Sequence, residues 1–233
     1  MIKLNVKMTS QPDITSCGPT ALFALYQFWG DRISLPTLIS EVEQFDEGGG
    51  TLAVVLGKHA VQRGYKVKIY SYNINIFDPT WFKLSKKELC IKLSLTLEDI
   101  SLNNKKRVAI EHYLSFLKLG GALKFEDLKK SLIRKFLHRQ IPVLTGLSST
   151  WLYKTMREVP STNIDDDILG KPAGHFVVLY GYHESEVFVA DPYRTNPITG
   201  THYYTVHMES LVNAILLGII SYDGNLLIIE KKK

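Results

Sequence analysis

Residues 11–22, QPDITSCGPTAL, place a cysteine where a polar loop meets an apolar run. Leu22, Leu25, Tyr26 and Trp29 follow Cys17 at helical spacing, so the sulfur falls in the first turn of a helix over about 17–29. Unpaired backbone N–H groups and the helix macrodipole stabilise negative charge there, which favours thiolate over thiol. Ser16 or Thr15 is available to cap the helix, and Pro19 fits its first turn because no donor is required. Gly18 leaves the backbone beside the sulfur unobstructed. The competing reading is a small apolar cysteine that merely opens a core helix. Attack on a carbonyl needs more than a thiolate: it needs a base to take and return a proton, and a group to orient that base.

Residues 174–192, GHFVVLYGYHESEVFVADP, offer both. Two apolar runs flank a polar tetrapeptide, which is a hairpin signal. With the turn at Tyr182 to Glu186, paired residue numbers sum to about 367 or 368, and His175 falls opposite residue 192 or 193. The base of one strand therefore meets the end of its partner, within a step or two of Asp191. Whether both side chains share a face depends on the turn length. In this arrangement His175 is general base and acid for Cys17, and Asp191 holds its tautomer and orientation. Pro192 lacks a donor and ends the strand at a defined edge. A histidine buried for packing alone would not explain an aspartate at matching hairpin depth.

The remaining histidines have weaker claims. His183 lies in the expected turn, His202 and His207 flank a strand over 203–206, and His59, His112 and His138 lie on helices. None has zinc-ligand spacing with cysteine or acidic partners. Asp165 to Asp167 reads as a solvated charge run rather than a cation site.

The elements that must position these residues follow from periodicity and punctuation. Residues 1–7 alternate like an edge strand. Ser34 and Pro36 open a second short helix, and Gly48 to Gly50 form a turn before a third helix carrying Leu52, Val55 and Ala60. Residues 65–70 alternate as a strand. Residues 73–123 read as a mainly helical insertion, with one helix from Arg107 to Leu119 ending at Gly120-Gly121. A helix over about 125–138 buries Leu128, Leu132, Ile133 and Phe136 and exposes lysines and arginine. Ile141 to Thr145 is a short strand, and the polar stretch 148–172 reads as a surface loop or lid.

Composition narrows the class. The 233 residues, 45% hydrophobic and 22% charged, can bury the core of one domain, taken as 1–233. The net charge of +5 is scattered rather than striped with aromatics, which excludes a nucleic-acid binder. No run approaches the ~18 apolar residues of a membrane span, and the N-terminus lacks a signal-peptide pattern. Two cysteines, Cys17 and Cys90, make no disulfide framework, so a compartment that keeps thiols reduced, the cytoplasm, is expected.

Taken together, Gln11, Cys17-Gly18-Pro19, Gly174-His175 and Ala190-Asp191-Pro192 resemble the C39 peptidase family and its stand-alone C39-like relatives. The likeness covers roughly 8–70 and 124–193. It implies an α+β, papain-like fold in which a helix bearing cysteine packs on an antiparallel sheet bearing histidine and aspartate. It further implies Cys17 as nucleophile, His175 as general base and acid, Asp191 as orienting residue, and Gln11 as a side-chain donor to the oxyanion. The implied activity is that of a cysteine peptidase or amide hydrolase acting on peptide or protein substrates, with no cofactor and no metal. Two rivals use the same residues differently: an acyltransferase or transpeptidase passing the thioester to an amine, and a catalytically silent module that binds peptides. The better-known members are N-terminal domains of ATP-driven exporters that cut leaders after Gly-Gly. Here a stand-alone form without a transporter domain is expected, and the stretch from Cys17 to His175 is longer.

Overall fold

The computed structural model describes residues 1–44, 50–160, 162, 164–221 and 224–232. The chain enters through strand β1 (Ile2–Lys3), then helices α1 (Cys17–Phe28), α2 (Leu35–Glu41) and α3 (Ala53–Gln62), and strand β2 (Tyr65–Ser71). A 3₁₀ turn at Pro79–Lys83 leads into α4 (Lys86–Thr96), α5 (Asn104–Lys118), β3 (Ala122–Lys124) and α6 (Lys130–His138). Then come β4 (Val143–Ser148), α7 (Ser149–Tyr153), the short pair β5 (Glu158–Val159) and β6 (Ile164–Asp165), and β7 (Gly174–His183). The chain closes with β8 (Glu186–Ala190), β9 (Tyr203–His207), α8 (Met208–Leu217) and β10 (Asn225–Lys231).

One sheet dominates, in the order β3-β2-β10-β4-β7-β8-β9, with β1 pairing β7 beyond the end of β4. All pairings in it are antiparallel except β2 with β3. Successive residues of β4 and the first five of β10 are all buried. Side chains alternate between faces along a strand, so both faces of the sheet centre are covered. Helices α1, α2, α3 and α5 pack together as one group, with α4 on α5, while α6, α7 and α8 form a second. Among the described residues no helix is long and apolar enough to cross a membrane.

Helix starts and stops follow local chemistry. Ser34 caps α2 by accepting from the Thr37 N–H at 3.2 Å, and Ser85 with Glu88 forms a reciprocal capping box on α4. Helix α5 ends in a Schellman motif: the Gly121 N–H reaches Phe116 O at 2.9 Å and the Gly120 N–H reaches Leu117 O at 3.1 Å. Gly120 has φ of 99°, which only glycine adopts without strain.

Several expectations need revision. The helix expected from 125 starts at Lys130, because Phe125 instead stacks on Phe82 at 4.5 Å and meets Phe77 edge-on. The strand expected at 141–145 runs from Val143 to Ser148, and the stretch after it is not a plain loop but carries α7 and the β5–β6 pair. The hairpin turn is shorter than expected: His183 pairs with Glu186, leaving only Glu184 and Ser185 in the loop. Neither Ser16 nor Thr15 caps α1; Ser16 Oγ donates to Asp13 O at 3.1 Å, and Thr15 Oγ1 donates to Asp13 Oδ1 at 2.7 Å. Of the expected glycine turn, Gly48 and Gly49 lie outside the described residues.

Candidate active site

The loop before α1 is shaped around Asp13, whose carboxylate accepts from both the N–H and the hydroxyl of Thr15. Burial opposes ionisation of Asp13, and the hydrogen bonds from Thr15 and Ser16 outweigh it and hold the carboxyl below its usual range. With the nearby hydroxyls drawn into this loop, no side chain caps the first turn of α1. The donors and dipole of that turn therefore act at Cys17 itself. Cys17 is a buried free thiol. A Cβ on Gly18 would lie 2.6 Å from Thr51 Cγ2 and 3.2 Å from the Phe176 ring, so the helix docks on β7 with no room for a side chain there.

His175 is the second residue of β7 and is buried. Its Nε2 meets Asp191 Oδ1 at 2.8 Å, which leaves Nδ1 as the nitrogen for the thiol. A slip in the hairpin makes this contact possible. Near the turn the pairs are His183 with Glu186 and Gly181 with Phe188; past Tyr180 they become Leu179 with Val189 and Val178 with Ala190. Tyr180 is the extra residue of a β-bulge. Continued in the second register, Asp191 stands opposite Val177, on the same face as His175. The first register would have set it opposite Val178, on the other face.

Asp191 itself is fully buried and accepts four hydrogen bonds. His175 Nε2 and the Tyr193 N–H donate to Oδ1, each at 2.8 Å. The hydroxyls of Tyr153 and Tyr204 donate to Oδ2 at 2.7 and 2.6 Å. Its backbone is pinned as well: the Asp191 N–H donates to His202 O, and His202 Nδ1 lies 2.7 Å from Asp191 O. Burial disfavours the Asp191 charge, yet the His175 charge and the hydrogen bonds from His175, Tyr153 and Tyr204 hold its carboxyl below the usual range. Burial likewise pulls His175 down, but the charges of Asp191 and Cys17, with hydrogen bonds to both, push it up to about 10.

These three side chains converge from a helix terminus and one hairpin. Gln11 sits beside this group, its N–H donating to Pro192 O at 3.1 Å. Its side-chain Nε2 donates to Asp13 O at 2.8 Å, while Oε1 is buried and unpartnered among the described residues.

No family model matches the chain, and no curated protein matches it. Among solved structures, a candidate C39-like peptidase from Bacillus anthracis aligns with a TM-score of 0.50 at 14% identity, covering 100% of this chain and 98% of that one. The fold is that of the C39-like peptidases. Two further structures align over nearly their whole lengths. One is a double-glycine-motif protease from an AMS/PCAT transporter in complex with a leader peptide, at 13% identity, TM-score 0.47, covering 99% of this chain and 94% of that one. The other is the peptidase domain of Streptococcus ComA, a bifunctional ABC transporter of a quorum-sensing pathway, at 14% identity, TM-score 0.45, covering 98% and 100%.

Within this C39-like fold His59, His112 and His183 stay apart from the site. His59 bridges Tyr26 and Glu41, His112 lies between Lys58 and Glu43, and His183 is exposed at the end of β7. Asp166 accepts from the Ile168 and Leu169 N–H groups, as a loop carboxylate does. Sequence reasoning missed Tyr153, Tyr204 and His202. Tyr204 had a signal: it pairs with Val189, and alternation puts it on the face of Asp191 two residues on. Tyr153 had none, because it reaches Asp191 from a separate helix.

Proposed function

We propose that this protein is a cysteine peptidase or amide hydrolase acting on peptide substrates, with Cys17 as nucleophile, His175 as general base and acid, Asp191 as orienting residue and Gln11 as oxyanion donor. The observation that carries the reading is His175, bonded to Asp191 at 2.8 Å and coupled to Cys17 at the start of α1. The Cys17 thiolate attacks the substrate carbonyl carbon, and negative charge moves onto the oxygen. The Cys17 N–H and Gln11 amide stabilise that charge; the amide nitrogen has two hydrogens and uses one on Asp13. The C–N bond then breaks, the leaving amine takes a proton from His175, and a thioester remains. His175 next accepts a proton from water as the water attacks, and acid and thiol are released.

The chain functions as one domain in this reading, with 73–123 an addition packed through α5 on α3 and α7 set beside the triad through Tyr153. Two free thiols suit a reducing compartment such as the cytoplasm.

Two measurements test the proposal. Iodoacetamide should alkylate Cys17 at pH 6–7 much faster than a thiol with pKa of about 8.5. Incubation with a defined peptide mixture should give new C-termini by mass spectrometry with the wild type and none with Cys17→Ala. Amide adducts of an added amine would reassign the protein as an acyltransferase. Slow alkylation together with intact peptides would leave only a silent peptide-binding module.

A further inference from the structure

Fixing the tautomer of an imidazole takes one hydrogen bond from a carboxylate oxygen. Asp191 has far more around it. Its second oxygen meets two phenol hydroxyls from two different elements, Tyr153 at the end of α7 and Tyr204 in β9, at 2.7 and 2.6 Å. Burial first, and the Asp191 charge second, push both phenols far above their ordinary range, so both stay protonated and donate. The ring of Tyr153 also packs against His175, with centroids 6.1 Å apart.

The stretch carrying Tyr153 is anchored at its base. Ser149 donates twice to Ala173 O, from its N–H and its hydroxyl, and the Ala173 N–H donates to Thr150 Oγ1 at 2.9 Å. Lys154, at φ of 57°, then turns the chain away in a left-handed conformation. The segment is thus tied beside the start of β7 and delivers one hydroxyl to the carboxylate.

We propose that Tyr153 and Tyr204 are positioning residues that hold the Asp191 carboxylate aligned through Oδ2 and divide its charge, so that the 149–172 segment is tied to the chemistry at Cys17. The inference rests on the triad reading above. Each hydroxyl draws charge density away from Oδ1, where the imidazolium sits. Loss of either one concentrates charge on Oδ1 and strengthens its hold on the imidazolium. The groups facing His175 are Cys17 from α1, Asp191 after β8, the rings of Tyr153 and Tyr193, and Glu158 in β5. The Glu158 carboxyl is raised by burial and by Asp165, against an opposing pull from His175. His202 meets the Asp191 backbone alone, its ring at the carbonyl and its own carbonyl at the N–H.

The experiment follows the imidazole nitrogens of the ¹⁵N-histidine-labelled full chain by NMR as pH is raised, with His175→Gln used for assignment. Tyr153→Phe and Tyr204→Phe each keep the ring and remove one hydroxyl. Tyr26→Phe, which removes the buried hydroxyl bonded to His59, is the control for a purely structural loss. The expected result is a His175 midpoint moved upward by about half a unit in each Asp191-side variant and unmoved in Tyr26→Phe. On any peptide cleaved by the wild type, kcat should fall about tenfold with KM nearly constant. Midpoints that shift no more than in Tyr26→Phe overturn the tyrosine role and leave the triad reading standing. A wild-type His175 that titrates near its ordinary value of about 6.5 overturns the triad reading instead.

Discussion

His175 is the residue on which the chemistry and the stability of this protein meet. Its folded-state proton affinity is raised, so it stabilises the fold fully below its unfolded pKa of about 6.5. That contribution is lost as pH climbs through about 10, the folded value set against burial by Asp191 and Cys17. On the triad reading, denaturant midpoints of Cys17→Ala should therefore decline from about pH 6.5 upward, whereas the wild type, whose Cys17 takes up a proton on unfolding below about pH 8.5, should hold level to that pH and decline toward pH 10. The tyrosines beside Asp191 do not blur this window, since exposed tyrosine in the unfolded chain titrates only near 10. A Cys17→Ala profile that stays flat above pH 6.5 would mean that Asp191 alone does not hold a charge on His175 in the fold. Gln11 makes a separate prediction at this scale. As oxyanion donor its replacement by alanine should lower kcat by about 10²–10³ with little change in KM. An unchanged kcat would confine Gln11 to its bonds with Asp13 and Pro192. The placing of Cys17 at a helix start and of His175 and Asp191 on one hairpin was legible in the sequence, because apolar periodicity marks the helix and both strands. Tyr153 was not, since a tyrosine in a polar stretch has no spacing that points to an aspartate 38 residues away.

Among the elements, the β7–β8 hairpin decides whether those residues meet. Alternation made both strands visible, and the depth of Asp191 against His175 was readable to within a residue. A single residue is also the whole difference between one sheet face and the other. The bulge at Tyr180 supplies it, and its trace in the sequence is Gly181. A Cβ on Gly181 would lie 2.3 Å from Ile2 O and 2.8 Å from the Phe188 ring, so glycine is what lets β1 close on the bulged strand. Nothing in the apolar run 176–180 distinguishes a bulged strand from a regular one, because the partner strand alone defines the mismatch. Deleting Tyr180 removes the unpaired residue and joins the two registers into one ladder, with Asp191 still opposite Val177 on the face of His175. The deletion variant should therefore keep both the far-UV circular dichroism of the wild type and fast alkylation of Cys17 at pH 6–7. Loss of fast alkylation would show that the bulge itself, and not only the register past it, sets the site. Gly181→Ala should fold with stability lower by about 1–3 kcal/mol, read from urea midpoints, because β1 must move to admit the methyl group.

At the scale of the whole molecule, the site depends on a strand that shares no residue with it. β10 lies between β2 and β4, with registers running from Asn225 opposite Ser71 to Lys231 opposite Tyr65 on one side and from Asn225 opposite Gly146 on the other. It joins the β2–β3 side of the sheet to the β4–β7–β8 side that carries His175. It also holds α1 from below: Trp29 Nε1 donates to Ile229 O at 3.0 Å, fixing the far end of the helix whose first residue is Cys17. Leu226, Leu227, Ile228 and Ile229 are fully buried, and each would leave its partners facing water or an empty slot. A central strand supplied last imposes long loop closures, so the native sheet completes only after residues far apart in sequence have met. Ending the chain after residue 224 should therefore abolish the cooperative thermal transition and with it fast alkylation of Cys17. Ending it after Lys231 keeps every described β10 pair and should leave both intact. If the shorter chain still alkylated rapidly, the helix and the hairpin would assemble the site without the sheet that joins them, and β10 would serve stability alone.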